Sequence, residues 1–248
     1  MTQLTDRPAL SQRLARDAKS IGLSLNADQI EALVEYLAQM LRWNRTYNLT
    51  AIRDPEAMRV QHLVDSLSVI PVLAQRIQND AAGKDNAHAN ANANATNDAT
   101  TGVGASQTAR IMDVGSGGGL PGVVLAIAQP GWQVHCVDAV EKKTAFVRQM
   151  AGVLRLANLS ASHARVETIE PAQCDIVISR AFASIEDFAA LAGRHVRVGG
   201  TLAAMKGRQP DEEIAAVLAS GAWRLDAIHP LQVPGLDAQR CIAFLAHT

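Results

Sequence analysis

Residues Ile111–Gly122 read "IMDVGSGGGLPG". An apolar run ends in an acid, and five glycines follow within eight positions. Ile111, Met112 and Val114 have the apolar character of a buried strand. Gly115, Gly117 and Gly119 let the following turn take positive φ and let backbone come close to a ligand. A helix should open near Pro121, and in open α/β sheets such a strand–turn–helix junction binds nucleotides. A tight turn with no ligand would not need five glycines.

From residue 109 onward the chain alternates strand-like and helical runs. The strands are "RIMDV", "WQVHCVD", "LSASHA", "CDIVISR" and "TLAAMK", with helical runs such as "EKKTAFVRQMAGVL" between them. That alternation predicts an α/β fold, a doubly wound, mostly parallel sheet with helices on both faces. "WRLDAIHPL" and "QRCIAFLAH" close the chain, joined by a Pro/Gly-containing loop too short for a crossover helix. They should pair as an antiparallel hairpin.

Residues 1–82 read as a helical extension. In "NADQIEALVEYLAQMLRW" the residues Ile30, Leu33, Val34, Leu37 and Leu41 recur at helical spacing. Asn26 and Gln29 resemble a capping box. Asp54 and Pro55 suit the N-cap and first turn of another helix, and Pro71 should break or kink the next helical run. Residues 83–108, "GKDNAHANANANATNDATTGVGASQT", hold no large apolar side chain except Val103. Such a segment buries too little to offset its ordering entropy, and it reads as a disordered linker or insertion between the helical region and a domain at 109–248.

Composition narrows the function. With 48% hydrophobic and 19% charged residues the chain is globular in type. Its first residues lack the apolar core of a signal peptide, and no uncharged stretch approaches the ~18–20 residues of a membrane span. A cytoplasmic, monomeric protein without membrane contact is expected. Cys136, Cys174 and Cys241 are scattered, which argues against disulfides and against a metal site. A formal charge of −1 excludes a broad cationic nucleic-acid face. Any nucleic-acid contact must be local or must recognise shape.

Two ligand readings fit the glycines. Gly117, Gly119 and Gly122 match the dinucleotide fingerprint G-x-G-x-x-G. Asp113 with Gly115, Gly117 and Gly119 matches D-x-G-x-G-x-G, the pattern of S-adenosylmethionine (SAM) methyltransferases. Asp138, ending "VHCVD", could hold a ribose in either case. Three features favour methyl transfer. Asp113 would repel a pyrophosphate, while it could order the loop or accept from the amino end of a methionine. The chain ends in a hairpin. Too few residues follow the loop for a full dinucleotide sheet plus a substrate domain.

Several stretches then resemble one family. "RWNRTYNLTAI", "HLVDSL", "DVGSGGGLPG", "DAVEKKTAFVRQM", "ARVE" and "ISRAFAS" are similar to the RsmG/GidB family (glucose-inhibited division protein B). The resemblance covers nearly the whole chain except residues 83–108. It implies a Rossmann-like class I SAM-dependent methyltransferase that modifies N7 of a guanine in the decoding-region loop of 16S rRNA. The implied partner is that rRNA or the small ribosomal subunit, and the implied cofactor is SAM without a metal. By resemblance, Gly115 and Leu120 line the SAM site, Val166 and Glu167 flank the adenine, and Arg180 stands at the pocket mouth.

The end of the fourth strand, "ISRAFAS", lacks the proline-rich tetrapeptide of exocyclic-amine methylases, and no cysteine sits there as a C5 methylase would need. Guanine N7 carries a lone pair and no proton, so its methylation needs alignment and no general base. Arg180 is therefore expected to position the target, and Phe182 either to stack on a base or to pack in the core. Arg165, Lys206, Lys142 and Lys143 are candidate RNA phosphate contacts. His62 reads as a packed histidine. An NAD-dependent oxidoreductase and a noncatalytic SAM-fold ribosome-assembly factor stay open as alternatives.

Overall fold

The glycine-rich stretch folds as β1 (Arg110–Val114), a turn, and α6 (Gly122–Ala128). The computed structural model describes residues 6–89 and 108–248. After β1 come β2 (Gln133–Asp138), α7 (Glu141–Val153), β3 (Leu159–His163), β4 (Cys174–Ser179), α8 (Ile185–Ala192), β5 (Val196–Lys206) and α9 (Asp211–Ala219). The chain closes with β6 (Trp223–Pro230) and β7 (Cys241–His247). The sheet order is β3-β2-β1-β4-β5-β7-β6.

Strands β1 to β5 pair in parallel, while β7 runs antiparallel to both β5 and β6. The terminal hairpin and the doubly wound sheet are thus as the sequence predicts. From β1 the chain winds out to β3, then returns to β4 on the other side of β1. That reversal opens a crevice at the carboxyl ends of β1 and β4, beside the glycine loop.

One strand departs from its expected limits. β5 begins at Val196, ahead of "TLAAMK", and runs through Gly199 and Gly200. Its register with β4 shifts between Cys174 and Ile176. A Cβ on Gly200 would lie 2.9 Å from the carbonyl oxygens of both Cys174 and Asp175. Glycine is needed for the strands to approach there, and glycine also hides the strand from a propensity reading.

The N-terminal helices are α1 (Arg7–Ser20) and α2 (Ala27–Tyr47). The capping box exists: Gln29 N donates to Asn26 Oδ1 at 2.8 Å, and Asn26 N to Gln29 Oε1 at 3.0 Å. Asp54 caps α3 (Pro55–Met58) by accepting from Ala57 N. A π-helical turn, Arg59–Val64, leads into α4 (Asp65–Leu67). Pro71 lies in the first turn of α5 (Ile70–Ala89), where its missing N–H costs nothing, and the helix runs on past it. α5 runs to Ala89, past residue 82, where composition suggested a boundary. Residues 90–107, most of the expected insertion, lie outside the described residues.

The helical extension shares its core with one face of the sheet. Leu33, Leu37 and Met40 of α2 belong to the same buried cluster as Val123 of α6 and Phe146 of α7. On the opposite face Ile185, Phe188, Val217 and Trp223 pack against Val177 and Leu245. No helix among the described residues is long and apolar enough to cross a membrane.

Candidate functional site

The glycine loop is held from four directions. Gly115 N and Ser116 N donate to the carbonyl of Val137 at 2.8 and 3.2 Å, tying the loop to β2. Gly117 N donates to Asp138 Oδ2 at 2.8 Å. Gly122 N donates to Asp113 Oδ2 at 2.8 Å. From the helical side, the buried hydroxyl of Tyr36 donates to the carbonyl oxygens of Gly118 and Gly119, at 2.6 and 3.3 Å.

The glycines divide the work. Gly115, Gly117 and Gly119 all have positive φ. A Cβ on Gly119 would meet Val123 Cγ2 at 2.3 Å, so this glycine lets the loop lie on α6. A Cβ on Gly117 would meet nothing within 4 Å. The loop there faces open space, as a ligand-binding turn must.

Asp113 has no solvent exposure. Its carboxylate orders the loop through Gly122, one of its two expected roles, and does not reach the crevice surface. Burial pushes its pKa up to about 7, opposed by the Gly122 hydrogen bond and the Arg180 charge. Asp138 divides its oxygens between Gly117 N and Val140 N, each at 2.8 Å. Val166 and Glu167 follow β3 in a 3-10 turn, at the same carboxyl edge of the sheet. Val166 is buried and its carbonyl accepts from His195, while the Glu167 side chain is exposed.

A cavity of about 240 Å³ lies over the loop. Its walls include Gly115, Gly117, Leu120, Lys143 and Arg180, and it is closed from the N-terminal side by Thr50 and His62. Next to it is a cavity of about 350 Å³, whose walls include Gln61, Asp65, Lys206 and Arg240. His62 and Arg180 line both. His62 Nε2 is 2.9 Å from Thr50 Oγ1. Burial and the nearby Arg180 charge lower its pKa to about 4, so the imidazole is neutral at pH 7.

Of the expected site residues, the fold brings Gly115, Gly117, Leu120, Lys143 and Arg180 around one cavity. Arg180 is also anchored, with Nη1 donating to Gln61 O at 2.9 Å and to Asp65 Oδ2 at 3.1 Å. Phe182 packs half-buried on Phe188, ring centroids 5.0 Å apart, which is the core alternative of its two readings. Lys206 pairs with Glu213 at 2.6 Å and donates to the carbonyls of Phe182 and Ala183, so its charge is compensated inside the protein. Lys142 and Arg165 are exposed. All three cysteines are free and buried. Among the described residues, no group of three or more His, Cys, Asp or Glu could hold a metal ion.

Tyr36, Asp65 and Arg240 escaped the sequence reading. Each left a trace. A tyrosine on an apolar helical stripe must find a partner for its hydroxyl. An acid set between Leu63, Val64 and Leu67 must find a counter-charge.

Sheet order, glycine loop and strand-end acid together define a Rossmann-like, SAM-dependent methyltransferase of class I. The chain belongs to the GidB family, rRNA small subunit methyltransferase G, whose model matches residues 29–81 and 96–243. It is 56% identical over 245 residues to ribosomal RNA small subunit methyltransferase G of Bordetella avium (strain 197N), covering 99% of this chain and 97% of the relative. To the protein of the same description in Burkholderia thailandensis it is 44% identical over 242 residues, 96% and 91% of the two chains. A distant structural likeness links it to a ribosomal protein L11 methylase from Lactobacillus delbrueckii subsp. bulgaricus, with 12% identity and a TM-score of 0.46 over 57% of this chain and 71% of that one.

Proposed function

We propose that the chain transfers a methyl group from SAM to N7 of a guanine in the decoding-region loop of 16S rRNA. The observation that carries this reading is the cavity over the glycine loop, whose ionisable wall residues are Lys143, Arg180 and a neutral imidazole, with no carboxylate. His62, the one imidazole in its wall, has its pKa lowered to about 4 and is a poor proton acceptor. Methylation of an exocyclic amine would require a proton to leave, whereas N7 has none to lose.

Bound SAM would supply an activated methyl on a sulfonium. The Gly115–Leu120 turn would hold its methionine half, with Gly117 giving close approach. Asp138 keeps lone pairs for ribose hydroxyls, and Val166 and Glu167 would flank the adenine. Arg180, fixed by Asp65 and Gln61, would orient the base in the adjoining space, and Thr50 and His62 would exclude water. Lys142, Lys143 and Arg165 are left to contact RNA phosphates. Phe182 and Lys206, engaged internally, would support the strand-end turn. Residues 83–108 would act as a linker between the helical region and the methyltransferase domain, which works as a monomer in the cytoplasm.

The test is mass mapping of 16S rRNA from a strain lacking this protein. The N7-methylguanine should vanish and return with the wild-type gene. Arg180→Ala should lower turnover about 100-fold or more, since small misplacement of reacting groups costs that much. The protein should still fold, melting earlier than the wild type because Asp65 keeps only Arg240 as its partner. A stable variant working at the wild-type rate would remove Arg180 from the site.

A further inference from the structure

We infer that Arg240, fixed by the buried carboxylate of Asp65 beside Arg180, forms with Arg180 a receptor for a backbone phosphate of the RNA next to the target guanine. This rests on the reading of the chain as an RNA methyltransferase.

Asp65 is only 2% exposed, and a buried carboxylate needs compensation. It has more than it needs. Arg180 Nη1 donates to Oδ2 at 3.1 Å, and Arg240 Nε donates to Oδ1 at 3.0 Å. These arginines lie 115 and 175 residues away in sequence. Two guanidiniums on one carboxylate leave one positive charge over. Around the same cavity Lys206 is matched by Glu213, and His62 is neutral. The surplus therefore belongs to the arginine pair. A structural ion pair needs one arginine, and a second, partly buried and uncompensated, is costly without an anion.

The hydrogen bonds point the same way. Arg180 uses Nη1 for Gln61 and Asp65, and its Nε and Nη2 have no partner among the described residues. Arg240 uses Nε for Asp65 and Nη1 for the Gln239 carbonyl, and its Nη2 has none. The two side chains are 28% and 25% exposed, and both line the 350 Å³ cavity. Unpaired guanidinium N–H groups in a fixed fork suit a phosphate. The two cavities share His62 and Arg180 in their walls. A guanine oriented by Arg180, where the two cavities meet, would sit beside the SAM held on the glycine loop and carry its phosphate toward Arg240 in the second cavity. Arg240 lines the second cavity and not the one over the glycine loop.

The test is steady-state methylation of small ribosomal subunits from a strain lacking the enzyme, at several salt concentrations, with Arg240→Ala and Arg240→Gln. Both variants should raise KM for the subunit roughly ten-fold or more, the loss of a charge-assisted contact, with kcat little changed. The slope of log KM against log salt should shrink by about one. Arg240→Lys should restore the salt slope but only part of the affinity. SAM affinity by calorimetry should not move. A variant that melts earlier yet keeps the wild-type KM and salt slope would make Arg240 purely structural and overturn the inference, leaving the methyltransferase reading intact. Weakened SAM binding would assign Arg240 to the cofactor and overturn it equally. A wild-type protein that binds SAM yet methylates no 16S rRNA would reject the underlying reading, and the phosphate receptor with it.

Discussion

The hydroxyl of Tyr36 donates to the carbonyl oxygen of Gly118 at 2.6 Å, joining α2 to the glycine loop across 82 residues of sequence. Tyr36 is fully buried, stacked near Phe146 with ring centroids 6.0 Å apart. The helical extension is therefore part of the site. It supplies a hydrogen bond beneath the glycines and, through Thr50 and His62, one wall of the cavity above them.

Tyr36→Phe keeps the ring and removes the donor. A buried carbonyl that loses its partner costs about 1–3 kcal/mol, which urea melts will read. SAM affinity should fall with the loosened loop. Normal stability and normal SAM binding would make the contact incidental.

Gly117 and Gly119 should respond differently to substitution. Gly119→Ala places a Cβ 2.3 Å from Val123 Cγ2 at a φ of +91° and should destabilise the protein itself. Gly117→Val puts its Cβ where no protein atom lies within 4 Å, on the open side of the turn, at a φ of +58°. It should fold, with a modest loss of stability, and fail to bind SAM. Calorimetry together with thermal melts separates the two outcomes, and a Gly117→Val protein with wild-type SAM affinity would move the cofactor elsewhere.

Asp138→Ala should weaken SAM by roughly 10- to 150-fold, the loss of about 1.5–3 kcal/mol from charge-assisted bonds. Asp138→Asn should fall between. Its single oxygen can satisfy either Gly117 N or Val140 N, and its amide would oppose the other donor. An alanine variant that binds SAM like the wild type would reject both the ribose role and the loop-anchoring role.

Asp113 and His62 should give the stability curve opposing slopes. The folded pKa of Asp113 is raised from 3.8 to about 7, so the native state holds a proton that the unfolded chain has released. That term favours folding at low pH and is lost as pH rises from about 4 to about 7. His62 is lowered from 6.5 to about 4, so its term is lost as pH falls through that range. Asp113→Asn removes the first term only. Relative to the wild type it should gain stability as pH rises from about 4 to about 7, measured as urea midpoints. A constant difference across that range would mean Asp113 does not titrate there.

Much of this molecule is legible one segment at a time. Ile111 to Val114, the five glycines and Asp138 announce a strand, a glycine turn after it and an acid at the end of the next strand, because backbone freedom and hydrophobic period are local properties of the chain. The resemblance in "WNRTYNLTAI" and "ISRAFAS" adds the chemistry. The start of β5 was hidden because Gly199 and Gly200 carry no strand signal of their own.

Two further points lay beyond any local pattern. Asp65 could be suspected of needing a counter-charge, but nothing near it names Arg180 or Arg240. Arg180 looked free for substrate, yet it is also half of a buried ion-pair cluster. The sequence by itself determined the order of strands and helices, the glycine loop and the acids beside it, since each depends on neighbours a few residues apart. Only the tertiary structure decided that Tyr36 supports that loop and that Asp65 gathers two arginines. A buried polar group must be satisfied by whatever the packing brings within about 3 Å, and packing joins residues whose separation along the chain carries no signal.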